Sequence, residues 1–267
     1  MATAVPVFED RRMSVGRVFQ RAFSAIGSNP LVILGLALVV GALPGLLMSY
    51  LFVQMGLGTS ASLANGTISP AGFMGAIFVS SIIGLIIASI VQAALTRATV
   101  SASEGVRASF GESLGTGLRV VLPLIGLTIL FSIGIMLGFM LLIVPGIILL
   151  TMWAVAIPAL VIEREGVGAA FRRSSQLTKG ARWKIFALFL VLLIIYWLLS
   201  LVIGLAGLKM YSAADSAAGL TVGNLLGSVV LGTVFNTLWG TIQPSLYVEL
   251  RQWKEGGSLG NLQEVFA

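Results

Sequence analysis

Few side chains in this sequence could carry out covalent chemistry. Its 267 residues include no cysteine and no histidine, which removes thiolate nucleophiles, thiolate metal sites and the commonest general base near neutral pH. The carboxylates nearest the apolar segments are Glu163 and Glu249, each with an arginine close by, at Arg164 and Arg251. We expect these to be helix-end ion pairs rather than an acid and a base. The expectation is therefore a chain that is not an enzyme and holds no metal or cofactor.

What remains is recognition chemistry. Arg172, Arg173, Lys179, Arg182 and Lys184 form the densest basic cluster. Beside an anionic leaflet each such residue adds about 1 kcal/mol of attraction, and the same charges hold a loop on one side of a membrane. Gln92, Asn236 and Gln243 are the polar side chains set deepest in apolar sequence. They either bond across helices, at about 0.6 kcal/mol each, or line a path for a solute. Pro158 and Pro244 also lie inside apolar stretches, where each removes a backbone bond and predicts a kink. No charge accompanies either proline, which favours packing over a substrate site.

The elements that position these residues belong in a bilayer. Hydrophobic residues make up 57% of the chain and charged ones 10%, too apolar for a soluble domain of this size. No Asp, Glu, Lys or Arg occurs between Arg21 and Arg97, Arg119 and Glu163, Lys184 and Lys209, or Asp215 and Glu249. A crossing needs roughly 20 apolar residues. The gaps predict six spans, near 31–54, 71–99, 121–143, 145–163, 184–208 and 222–250. On that assignment every basic residue of the 16 except Lys209 falls on one side, so the positive-inside rule predicts cytoplasmic termini. The net charge of +6 is thereby spent on membrane flanks, and nucleic acid is not an expected partner. Arg11-Arg12 is expected to be part of a cytoplasmic flank, since no compact apolar region with a cleavage site follows it.

Amphipathic segments precede three of the spans. Residues 13–27, 105–118 and 167–179 each place apolar side chains at helical spacing opposite polar ones, as interfacial helices do. The ends of the even-numbered spans also align: VQAALTRAT at 91–99, AIPALVIER at 156–164 and IQPSLYVEL at 242–250. Pro158 matches Pro244, Glu163 matches Glu249, and glycines follow at Gly105, Gly166 and Gly256. The predicted fold is all-α, a single membrane domain over 1–267 with three repeats of an interfacial helix plus a hairpin, at about 13–105, 106–166 and 167–256.

The run Pro145-Gly146, Pro158, Glu163, Gly166, Ala170, Arg173-Ser174, Leu177 and Gly180 resembles the signature of a bacterial six-helix family. That family includes the membrane portion of some glycerophosphodiester phosphodiesterases and stand-alone YciC-type inner-membrane proteins. The resemblance is strongest over about residues 140–190, and it implies a six-helix protein of the bacterial inner membrane. It does not imply phosphodiesterase activity, because the family's catalytic domain is a separate soluble unit and only about seventeen residues follow the expected sixth span. The function expected is binding of lipid headgroups or a protein partner, including self-association, through basic cytoplasmic helices. The alternative is a transporter or channel for a neutral or lipidic solute.

Overall fold

A computed structural model describes residues 13–54, 69–209 and 222–256. The described residues are α-helical throughout, with no strands. The expected cytoplasmic flank at Arg11-Arg12 lies outside them. Helix α1 (Val15–Ser28) buries Val18, Ala22 and Ala25. Asn29 then turns the chain, its side-chain amide donating to the Ala108 carbonyl at 2.9 Å, and Pro30 opens α2 (Pro30–Gly35). A π-helical stretch (Leu36–Ala42) leads into α3 (Leu43–Gln54).

Helix α4 (Pro70–Ser103) starts at Ser69, whose hydroxyl accepts from the Gly72 amide. Helix α5 (Phe110–Leu141) is capped in the same way by Ser109. Here the structure corrects the sequence expectation: segment 105–118 is not a separate interfacial helix but the first turns of a 32-residue helix. At 1.5 Å per residue α5 is about 48 Å long, well beyond the hydrocarbon thickness of about 30 Å. Pro123 lies inside this helix and removes one ladder bond without ending it. Gly117 permits the close approach of α4, since a Cβ there would lie 2.6 Å from the Ile90 carbonyl oxygen.

Leu142 alone separates α5 from α6 (Ile143–Met152). Gly134 and Gly138 face α6, against Trp153, Leu149 and Gly146, so their spacing serves packing within the hairpin. The expected continuous span 145–163 is broken at Trp153–Val155, after which α7 runs Ala156–Glu163. Pro158 accounts for the break: it cannot donate to the carbonyl four residues back, and its ring obstructs that carbonyl. The freed groups are taken up by α8 (Val167–Thr178). The Ser174 hydroxyl donates to the Met152 carbonyl at 2.9 Å and accepts from the Val155 amide at 3.2 Å. Thr178 adds a second bond to the same carbonyl.

Helices α9 (Arg182–Lys209) and α10 (Val222–Glu255) complete the chain. The kink expected at Pro244 is not a break, for α10 runs through it unbroken. One ladder bond is lost there, while the hydroxyls of Thr241 and Ser245 bond back to carbonyls one turn earlier. Five helical stretches are long and apolar enough to cross a membrane: Pro30–Met48, Ala71–Ser103, Phe110–Leu141, Ile143–Glu163 and Arg182–Leu205. The expected sixth span falls within α10, which carries Asn236, Gln243 and Glu249 and is the least lipid-like of the long helices. The chain is thus a multi-pass membrane protein by its helices.

Burial is concentrated where three segments meet. Ala93–Leu95 of α4, Ala156 and Ala159–Val161 of α7, and Ile242–Tyr247 of α10 are almost completely enclosed. These are the three stretches that align in the sequence. Farther along the helices, Leu47, Phe78, Met140, Trp197 and Val202 stand exposed, an apolar surface of the kind that faces lipid.

Candidate functional site

The basic side chains gather at one end of the bundle, around two carboxylates. Glu163, the last residue of α7, accepts from Arg173 Nε and from the Tyr247 hydroxyl, both at 2.7 Å. Arg173 also pairs with Glu255, and Glu255 with Arg251 at 3.1 Å. This cluster ties α7, α8 and α10 together. Burial opposes the charge of Arg173, but the bonds from Glu163 and Glu255 outweigh it and raise its pKa above that of ordinary arginine. For Glu255 burial works upward, and the bonds from Arg173 and Arg251 still hold its carboxyl below the usual range.

Glu249 is the second centre, with only 4% of its side chain exposed. It accepts from Arg17 Nε at 2.7 Å and from the Ser14 amide at 3.3 Å, and it pairs with Arg21 at 3.3 Å. Arg21 reaches Gln252 as well. The first helix of the chain is therefore strapped onto the last. The expected pairs Glu163–Arg164 and Glu249–Arg251 do not form. Residues one or two apart on a helix point in different directions, and Arg164 has already left the helix with a left-handed backbone.

The sequence-predicted basic cluster divides into distinct environments. Arg173 is committed to carboxylates, as above. Lys184 Nζ donates to the Met13 carbonyl at 2.8 Å. Arg182 is partly buried, and its Nε finds no partner among the described residues. Arg172 and Lys179 stand exposed on α8, whose opposite stripe of Ala170, Ser174 and Leu177 is buried. Trp183 is 84% exposed beside them.

Two of the deep polar residues bond to each other. Gln92 donates to Gln243 at 2.8 Å, and Gln243 is 5% exposed, so a path through these amides would first have to break that bond. Asn236 packs against Gly41, where a Cβ would lie 3.1 Å from its amide nitrogen. Sequence reasoning missed Arg17, Arg21, Tyr247 and Glu255 as partners. Only Glu255 left a local signal, four residues after Arg251 on a helix.

A family described as a domain of unknown function (DUF7847) matches residues 13–250. The chain belongs to the DUF7847 family. The match runs from α1 to near the end of α10 and includes Glu163 and Glu249, but not Arg251, Gln252 or Glu255. It lends no support to kinship with the phosphodiesterase membrane domains or the YciC-type proteins. No curated protein and no solved structure matches the chain.

Proposed function

We propose that this DUF7847 chain is a non-catalytic integral membrane protein that binds anionic lipid headgroups, or an acidic partner, through a basic cytoplasmic face. The observation that carries this is α8: its apolar stripe is locked into the core while Arg172 and Lys179 project from it without an ion pair among the described residues. Charges left unpaired on an amphipathic helix beside an exposed tryptophan are placed as an anionic interface requires.

In this proposal the protein lies in the bacterial inner membrane with six spans, α10 being the sixth, and with both termini cytoplasmic. Three repeats of the fold agree with two observations. Gly105, Gly166 and Gly256, which follow the aligned segments, all adopt a left-handed backbone, with φ of 76°, 93° and 77°. Glu163 and Glu249, aligned in sequence, each bind an arginine of an amphipathic helix. Kinship with the six-helix family rests on the motif at about 140–190 alone.

The test is enrichment of phosphatidylglycerol over phosphatidylcholine in nanodiscs assembled from an equal mixture. Arg172→Gln with Lys179→Gln should reduce the enrichment seen for the native protein. Arg173 is kept, because its removal would damage the fold. Unchanged enrichment would remove the headgroup function.

A further inference from the structure

At the base of the α5–α6 hairpin, two arginines share a groove and make no ion pair among the described residues. Arg119 is the last charged residue before the hairpin, and Glu163 and Arg164 are the first after it. Helix α5 and α7 pack together through Leu124, Leu127, Leu160 and Val161, which brings residues 119 and 164 to the same level. Both line one cavity of about 250 Å³, with Val120, Pro123, Leu160 and Gly166 as the other walls.

The electrostatics of this cavity differ from those of every paired arginine nearby. Arg17, Arg21, Arg97, Arg173 and Arg251 all meet carboxylates. Among the described residues the side chains of Arg119 and Arg164 make no ion pair, and the neighbouring Glu165 is exposed without one. Arg164 also has φ of 56°, a conformation no other non-glycine adopts among the described residues. That backbone favours glycine by about 1 kcal/mol. A side chain held at such a cost beside a cavity marks a place where the side chain itself is needed.

We propose that this groove binds the phosphodiester of an anionic glycerophospholipid from the adjacent leaflet. The two guanidiniums present planar donor forks that match phosphate oxygens. Val120, Pro123 and Leu160 receive the glycerol and the first methylenes of an acyl chain. The cavity has room for the headgroup and not for the tails, which remain in the bilayer. The inference rests on the lipid-binding function proposed above, but it uses none of the residues of α8.

The full chain is purified in mild detergent with added phosphatidylglycerol, and the lipid retained is counted by native mass spectrometry. Arg119→Gln with Arg164→Gly removes both guanidiniums and gives position 164 a residue suited to its backbone. Retention should fall about thirtyfold, two basic residues each contributing about fivefold. The α8 pair Arg172→Gln with Lys179→Gln, which weakens loose enrichment at the surface in nanodiscs, should keep the tightly held lipid that survives detergent. If the groove variant holds as much lipid as the native protein, the groove is not the site. Loss in the α8 variant alone overturns the groove and leaves the surface function standing, and loss in neither overturns the groove and leaves the surface function to the nanodisc test. Inorganic phosphate should not displace the lipid; displacement would make a free phosphate the ligand. Should the groove variant fail to fold, Arg119→Lys with Arg164→Lys keeps the charges without the forks. It should lose about fivefold, and full retention would overturn the fork geometry.

Discussion

The Glu249 centre and the Arg119–Arg164 groove use the same side chain to opposite ends. At Glu249, two arginines from α1 converge on a carboxylate that is almost wholly enclosed. Their charge is consumed in joining the first helix to the last. At the groove, two arginines converge on an apolar cavity with no carboxylate, and their charge stays available to a ligand. Guanidinium identity therefore says little about role here. The neighbour decides it, and the neighbour is set by which helix ends the fold brings together.

The contrast predicts that removing cations matters greatly in one region and little in the other. Arg17→Gln with Arg21→Gln leaves Glu249 buried without its arginines, and breaking a buried pair in this way typically costs about 3 kcal/mol or more. The midpoint of thermal unfolding in detergent should drop accordingly, and a midpoint equal to that of the native protein would mean α1 is not held by these pairs.

A smaller effect is expected on acidification. The Glu255 carboxyl is depressed by Arg173 and Arg251, so the stability it contributes is complete above its unfolded value of about 4.3. That contribution drains away as pH falls through the lower folded value. Thermal unfolding between pH 6 and pH 3 should therefore flatten in Glu255→Gln relative to the native protein, and identical curves would show that the α8–α10 pairing contributes nothing.

The smallest effect belongs to the groove. Arg119→Gln removes an exposed charge with no partner in the described chain and should change stability by less than about 0.5 kcal/mol. A larger loss would mean that Arg119 is structural, and the distinction between the two regions would collapse.

Much of this was legible before any coordinates. Long uncharged gaps force helices into a bilayer, because an unpaired backbone there has nowhere to bond. The apolar stripe of α8 predicted its buried face, and the aligned segments 91–99, 156–164 and 242–250 turned out to be the most enclosed parts of their helices. Pro158 sits beside a break that Ser174 and Thr178 seal, whereas α10 passes Pro244 as one continuous helix. The length of α5 was misjudged because the amphipathic and apolar periods join within one helix that continues through Pro123, so the change of pattern does not mark a boundary.

By itself the sequence determined the solvent: composition and charge spacing leave a membrane as the only environment in which this chain can bury its surface. It also determined which faces of its amphipathic helices are apolar, since both follow from local pattern. Only the tertiary structure decided the pairings. Glu249 meets residues more than two hundred positions away, and Arg119 and Arg164 come to line one cavity. Attraction between exposed charges is largely screened beyond about 10 Å, so whether an arginine is paired depends on distances that only folding sets.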